Sequence, residues 1–303
     1  MEQRQKYADI TLLLEGTYPF VRGGVSSWLH QLIEELPQYT FALIFLGATR
    51  KDYEAQKYVL PDNVVHLECH YLFDDFFLSK PKACKGNIEY ILASKKLHDW
   101  FRTPCADFDE AVLRKLLVNL GQMPGFTAEE FFYSETAWQE ICNCYEKYNA
   151  TDSFIDYVWA IKAMHTPLFK VASVAHQYAI ATGAFHSIST GYAGFLGLLL
   201  HNITSHSLIL TEHGIYTKER KIDLQSYFIK EHRDLLGDAL PMGMHYHETL
   251  WVRFFESLGR LIYKASNPII SLYEANRARQ IADGADRDRT QVIPNGMPIE
   301  RFL

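Results

Sequence analysis

Residues 7–36, YADITLLLEGTYPFVRGGVSSWLHQLIEEL, contain a candidate buried strand, a glycine loop and an amphipathic helix in that order. Tyr7 to Leu14 is an almost continuous apolar run, which is typical of a strand covered on both faces. Apolar residues then recur at helical spacing from Val25 to Leu36, and Pro37 ends the helix. A buried strand that leads through a loop into such a helix indicates an α/β protein with a parallel sheet.

The same alternation of strand and helix continues on both sides of a middle segment. Apolar runs predict further strands at 40–47, 64–68, 184–189, 207–211, 268–272 and 290–293. Helical patterns fall at 154–174, 193–201, 250–262 and 275–281. Because parallel strands require right-handed crossovers, we predict a Rossmann-like α/β domain that spans residues 1–303.

Residues 70–151 interrupt this alternation. An aromatic and acidic stretch is followed by helical patterns at 88–101, 108–120 and 128–148, which proline and glycine residues separate. We predict that this segment is a helical insertion in the α/β domain and not a separate folding unit.

Composition excludes several classes of protein. The formal net charge is -6 and there is no long Lys/Arg run, which argues against nucleic acid as a partner. Five cysteines at irregular spacing indicate a reducing, cytoplasmic setting rather than a disulfide framework. No apolar stretch is long enough for a signal peptide or a membrane span. We therefore expect any membrane association to come through partners.

The loop after the first strand is the first candidate binding segment and contains Arg22, Gly23 and Gly24. Ligands of open α/β sheets bind outside the carboxyl ends of the strands. The two glycines allow a ligand to approach the backbone, and the following helix offers free N–H groups to an anion. The alternative is a plain loop whose glycines only relieve backbone strain.

The second candidate segment, residues 187–194, joins a short strand to a helix and contains Thr190 and Gly191. These two residues are predicted to lie near the cleft. The series Gly191, Gly194 and Gly197 lacks the spacing of a dinucleotide-binding loop. We interpret Gly194 and Gly197 as small residues that allow close packing of the helix on the sheet.

The third candidate segment follows the strand at 207–211 and contains Glu212, His213 and Arg220. A charged pair at the end of a buried strand is costly unless a ligand or partner uses it. The imidazole can act as a base, an acid or a hydrogen-bond donor to a sugar hydroxyl. The alternative is a histidine that hydrogen-bonds a backbone carbonyl and holds the loop.

Two other motifs are weaker candidates for metal binding. Cys142 and Cys144 have no second Cys or His pair at metal spacing, which favours packing on a helix face. His245, His247 and Glu248 stand just before an amphipathic helix, which favours a solvated helix cap. We therefore predict that the protein holds no metal.

Five strings in this chain together resemble the N-terminal half of PelF-like glycosyltransferases, which belong to glycosyltransferase family 4 and have the GT-B fold. The resemblance spans almost the whole chain. The strings are Leu14-Glu-Gly-Thr-Tyr-Pro19 with Gly23-Gly-Val-Ser-Ser-Trp28, Ser189-Thr-Gly-Tyr-Ala-Gly194, Thr211-Glu-His-Gly-Ile-Tyr-Thr217, Trp251-Val-Arg-Phe-Phe-Glu-Ser-Leu-Gly-Arg260 and Val292-Ile-Pro-Asn-Gly296.

The resemblance implies an enzyme of two Rossmann domains that transfers sugar from a UDP-sugar to a glycan acceptor, with retention and without a metal or other cofactor. It implies that Gly23 and Gly24 lie near the donor phosphates and the acceptor, and that His213 lines the sugar site. It further implies cytoplasmic synthesis of Pel-type exopolysaccharide with inner-membrane Pel synthase components as partners.

The resemblance also implies a C-terminal nucleotide-sugar domain after about residue 298, which we expect to be absent from this chain. Because a GT-B site closes between two domains, we expect the chain alone to be inactive. One alternative is a non-catalytic module that docks on a membrane polysaccharide synthase complex, suggested by the aromatic insertion. A one-domain sugar-nucleotide enzyme such as an epimerase is less consistent with the missing dinucleotide fingerprint.

Overall fold

The protein contains a seven-stranded, all-parallel β-sheet with the strand order β3-β2-β1-β4-β5-β6-β7. The computed structural model describes residues 7–53, 55–74, 83–103, 108–148, 153–220, 222 and 246–296. The strands are β1 (Tyr7–Glu15), β2 (Phe41–Gly47), β3 (Val64–Tyr71), β4 (Ala181–Ser187), β5 (Ser207–Glu212), β6 (Ser266–Ser271) and β7 (Thr290–Val292). This order is that of the Rossmann fold extended by one strand, and it confirms the predicted fold class.

Helices flank the sheet and also make up most of the segment between β3 and β4. In chain order they are α1 (Gly24–Glu34), α2 (Ile88–Arg102), α3 (Glu110–Asn119), α4 (Ala128–Tyr133), α5 (Glu135–Tyr148), α6 (Phe154–Gln177), α7 (Tyr192–Thr204), α8 (Tyr246–Ala265) and α9 (Glu274–Ala282). In the described part of the chain, no helix is both long enough and apolar enough to cross a membrane.

Both faces of the central strand β1 are covered. Leu12 and Leu14 pack in one hydrophobic cluster with Leu29 and Ile33 of α1. Leu13, which points to the other face, belongs to a larger cluster that contains residues of α6, α7 and α8. Because successive side chains of a strand point to opposite faces, this double coverage explains the continuous apolar run in β1.

Helices α2 to α5 pack against the helices of the sheet domain. Trp100 and Phe131 lie in the same hydrophobic cluster as Phe169 of α6 and Phe254 of α8. The ring centroids of Phe131 and Phe169 are 5.6 Å apart. The helices of this segment therefore share a core with the sheet domain.

The helix predicted over residues 128–148 is two helices, α4 and α5, which meet at Ser134. The Ser134 hydroxyl donates to the Glu130 carbonyl at 2.6 Å and accepts from the Ala137 N–H at 3.3 Å. Ser134 itself has extended backbone angles, with ψ at 147°. Its side chain thus ends one helix and begins the next, which apolar periodicity alone does not reveal.

Strand β3 is longer than predicted. It runs to Tyr71, which pairs with Gly47 at the end of β2. The sequence prediction ended this strand at Glu68, whereas the observed strand carries the polar side chains of His66, Glu68 and His70. These side chains hydrogen-bond to one another, with His70 Nε2 at 2.6 Å and His66 Nε2 at 3.4 Å from the Glu68 carboxylate. Mutual pairing lets polar residues occupy a strand.

A candidate ligand cleft at the carboxyl edge of the sheet

A cleft of about 850 Å³ opens at the carboxyl ends of the strands, where the loops after β1, β2, β4 and β5 converge. Strand β1 pairs with β2 on one side and β4 on the other, so the cleft includes the point at which strand order reverses. Open α/β proteins bind ligands at this position. The cleft lining includes Glu15, Thr17, Val25, His213, Tyr216 and Arg220.

The glycine loop lies at the rim of the cleft, just before Val25, which lines it. Arg22, Gly23 and Gly24 are exposed, and a Cβ atom on either glycine would meet no neighbour within 4 Å. Gly23 is the N-cap of α1 and has no side chain to cap the helix. Packing therefore does not require glycine here, and the first-turn N–H groups are accessible to a ligand.

His213 lies in the wall of the cleft, directly after β5. Its ring makes an edge contact with Trp28 of α1 at 4.5 Å between centroids. Nδ1 is 3.5 Å from the Asn295 side-chain nitrogen, whereas Nε2 is buried and has no hydrogen-bond partner among the described residues. Burial lowers the pKa of this imidazole, which favours the neutral ring.

Thr17, in the loop after β1, also presents a buried polar atom. Its hydroxyl oxygen has no hydrogen-bond partner in the part of the chain that the structure describes. Buried polar atoms are normally paired, so Thr17 Oγ1 and His213 Nε2 are both places where a ligand would restore a hydrogen bond. Sequence analysis missed Thr17, because a lone threonine in a loop carries no distinctive pattern.

Glu15 at the end of β1 connects the loops around the cleft. Its carboxylate accepts from the Tyr216 hydroxyl at 3.0 Å and from the Ala193 backbone N–H at 3.1 Å. A Cβ atom on Gly191 would clash with both Glu15 and Tyr216, so glycine is required at that position. Sequence analysis missed Glu15 because its partners lie far away in the chain.

Arg220 is exposed and lines the cleft. Its guanidinium lies over the Tyr216 ring at 5.2 Å from the centroid. Burial raises the pKa of Tyr216 well above its usual value, and Arg220 acts in the opposite direction. The structure thus brings His213 and Arg220 to one cleft, with Gly23 and Gly24 at its rim.

Glu212 and Thr190 lie behind the cleft wall and do not line it. The fully buried Glu212 carboxyl accepts from Thr190 Oγ1 at 2.9 Å, from the Tyr263 hydroxyl at 2.7 Å and from Gln280 Nε2 at 3.0 Å. Burial raises the pKa of Glu212, against the effect of these hydrogen bonds. Within this network the carboxyl joins β5 to the loop before α7, to α8 and to α9.

Metal ligands do not converge in the described part of the chain, where no group of three or more His, Cys, Asp or Glu side chains is placed to hold an ion. Cys142 and Cys144 are partly buried on α5. The motif at 245–248 lies outside the residues whose side chains are described.

Replacement of Glu15 by alanine is expected to loosen the cleft loops, because Tyr216 and the start of α7 lose a shared acceptor. Each lost hydrogen bond is worth about 1 kcal/mol. Amide hydrogen exchange should become faster at Ala193 and across residues 214–220. The Glu15→Gln variant retains an acceptor oxygen and should show a smaller change. Equal exchange in the alanine variant and the wild type would contradict this role.

Fold and site together define a Rossmann-like α/β domain with a ligand cleft at the switch point of its sheet. The chain belongs to a family described as a domain of unknown function, DUF3492, whose sequence profile matches residues 8–288. A comparison with curated proteins found no match.

Proposed function

We propose that this domain is the acceptor-side half of a GT-B-type glycosyltransferase that takes sugar from a UDP-sugar. The observation that carries the proposal is His213 Nε2 in the cleft wall. This atom is buried and has no hydrogen-bond partner among the described residues. Further support comes from the parallel sheet, from the position of the cleft at the strand switch point, and from the uncapped start of α1 at its rim.

The hydrogen-bond pattern of His213 suits a sugar hydroxyl. An amide nitrogen donates, so the Asn295 contact makes Nδ1 the acceptor and leaves the proton on Nε2. Nε2–H is then an unpaired donor in the cleft wall, for which a hydroxyl oxygen is a fitting acceptor. The Thr17 hydroxyl can donate or accept at the same ligand, and the N–H groups after Gly23 favour a phosphate.

The proposal extends to the whole reaction that the resemblance implies. The donor would be a UDP-sugar, the acceptor a growing Pel-type glycan, and transfer would proceed with retention and without a metal. A C-terminal domain would hold most of the nucleotide. Cytoplasmic synthesis beside inner-membrane Pel synthase components is part of the same proposal, and a pull-down with those components tests it.

Replacement of His213 by alanine is expected to weaken binding of an acceptor oligosaccharide by about tenfold, since one hydrogen bond in a desolvated site is worth about 1–1.5 kcal/mol. The measurement is calorimetric titration of the 303-residue chain with a panel of hexose and N-acetylhexosamine oligomers. His206→Ala is the matched control, because His206 precedes β5 at the opposite edge of the sheet. Unchanged binding in the His213 variant would refute the assignment.

A second candidate function, a docking module for a membrane polysaccharide synthase complex, rests on exposed aromatic and aliphatic side chains. Trp138 of α5 is 44% exposed, and Ile155 and Trp159 of α6 are 66% and 53% exposed. Because the segment at 70–151 shares a core with the sheet domain, its deletion would disrupt that core as well as remove the exposed side chains. Trp159→Ser, with capture of synthase components as the readout, is the sharper test. Equal capture by this variant and the wild type would argue against docking through this face.

A further inference from the structure

A second cluster of functional side chains lies away from the cleft, where α2 meets α6. His98 of α2 and His165 of α6 face each other with their Nε2 atoms 2.7 Å apart. Two cavities of about 60 Å³ each border this pair, and both imidazoles line both cavities. Neither ring takes part in the function proposed above.

The contacts of this pair require one proton more than two neutral imidazoles carry. His98 Nδ1 is 2.7 Å from the Ser94 carbonyl oxygen, and His165 Nδ1 is 2.7 Å from the Ile161 carbonyl oxygen. A carbonyl only accepts, so both Nδ1 atoms carry the protons and both Nε2 atoms present lone pairs to each other. The Ser94 hydroxyl, at 3.3 Å from His98 Nδ1, leaves the carbonyl contact in place.

Burial disfavours a third proton on the pair. It lowers the pKa of His98 to about 3 and that of His165 to about 4. Repulsion between the rings adds to this effect for His98, and the Arg102 charge adds to it for both. The contacts of both Nδ1 atoms leave the two Nε2 lone pairs facing each other, and deprotonated imidazole is the form that binds metals.

The groups around the pair select the charge of the ion. Lys95 and Glu140, which line one cavity, form an ion pair with each other. Arg102 lines the same cavity, and its Nη1 atom is 3.5 Å from Asp99 Oδ1. The other cavity has an apolar lining apart from Ser94 and the two histidines. With a guanidinium nearby, a monovalent ion is tolerated better than a divalent one.

We propose that His98 and His165 form a two-coordinate site for one monovalent d10 metal cation of the Cu(I) class. Imidazole nitrogen binds copper, and Cys144 places a soft thiol in the wall of the same cavity. Each ring donates its other N–H to a backbone carbonyl, which is the usual outer contact of a metal-binding histidine.

Metal binding requires the pair to open. If metal–nitrogen bonds are about 2.0 Å, as for zinc, a linear ion holds the Nε2 atoms about 4 Å apart, so their 2.7 Å separation must grow by about 1.3 Å. The cavities beside the rings provide space for this movement. Two lone pairs that face each other at this distance repel, and this repulsion favours separation of the two rings.

The test uses the 303-residue chain labelled with 15N-histidine and titrated with 109Ag(I), a redox-inert ion of this class. We expect one equivalent to shift the Nε2 resonances of both His98 and His165 and to split them by coupling to silver. The two rings should show the Nδ1–H tautomer before metal is added. His98→Ala should abolish the effect at His165, whereas His176→Ala, also on α6, should preserve it.

Three outcomes would overturn the proposal. Silver bound only by cysteine thiols would leave both Nε2 resonances unchanged. A strongly downfield proton between the rings that persists in excess silver would show that a shared proton occupies the site. An equal response to Zn²⁺ would show that the site does not select a monovalent ion. Because the decisive signals come from the wild type, poor folding of a variant does not remove the test.

Discussion

Replacement of Glu212 by alanine is expected to lower the free energy of unfolding by about 3–5 kcal/mol, because three buried donors lose their acceptor at a cost of about 1 kcal/mol or more each and a cavity remains. The variant leaves the Thr190 hydroxyl, the Tyr263 hydroxyl and the Gln280 amide without their shared acceptor. It also leaves a cavity in a fully buried site. The expected effect is global destabilisation, because the carboxyl joins β5 to α8, to α9 and to the loop before α7.

Urea denaturation followed by circular dichroism measures this loss at pH 7. Glu212→Gln is the control, since it keeps one acceptor oxygen and removes the ionisable group, and its loss should be about 1 kcal/mol. If the alanine variant is as stable as the wild type but binds ligand poorly, Glu212 belongs to the ligand site after all. A matched loss of stability and function would identify a structural role.

Acidification is expected to destabilise the protein between about pH 6.5 and pH 4 through buried histidines. Burial lowers the pKa of His186 to about 4, and His213 and the pair described above are shifted in the same direction. An unfolded histidine has a pKa near 6.5, so the unfolded state binds more protons in this range. Stability therefore falls as pH falls, by about 3 kcal/mol for His186 alone.

Denaturation midpoints measured from pH 7.5 to pH 4.5 give the slope of stability against pH and test this prediction. His186→Gln removes one titrating group and should reduce the slope, whereas His206→Gln controls for a histidine substitution on the surface. Glu212 opposes the trend, because its raised pKa makes its contribution present at low pH and lost as pH rises through the folded value. A slope that is unchanged in His186→Gln would contradict the assignment.

The core elements of the fold were predictable because they are local. Tyr7 to Leu14 and Val25 to Leu36 carry their own periodicity, and β1 and α1 formed where the pattern indicated. The break at Ser134 was not predictable from apolar spacing. It depends on one hydroxyl that serves two helices. The length of β3 depends on side-chain pairing between residues two apart and on its register with β2.

The candidate site was predictable only in part. Loops after parallel strands meet at one edge, which is why residues 22–24 and 213 were expected near a common cleft. Glu15 and Thr17 were missed, although they lie at the end of β1 and in the loop that leads to Gly23 and Gly24. Glu212 is adjacent to His213 in sequence, yet the alternation of a strand turns its carboxyl into the core.

The sequence by itself determined the class of fold, because apolar periodicity specifies which face of each element must be buried and in which order strands and helices follow. Only the tertiary structure decided which polar groups are paired. The Glu15 carboxylate accepts from the Tyr216 hydroxyl across about 200 residues of chain. The Glu212 carboxyl accepts from the Gln280 amide across about 70 residues. Whether a buried donor or acceptor is satisfied depends on such distant partners, so the unpaired atoms of His213 and Thr17 became visible only in the folded chain.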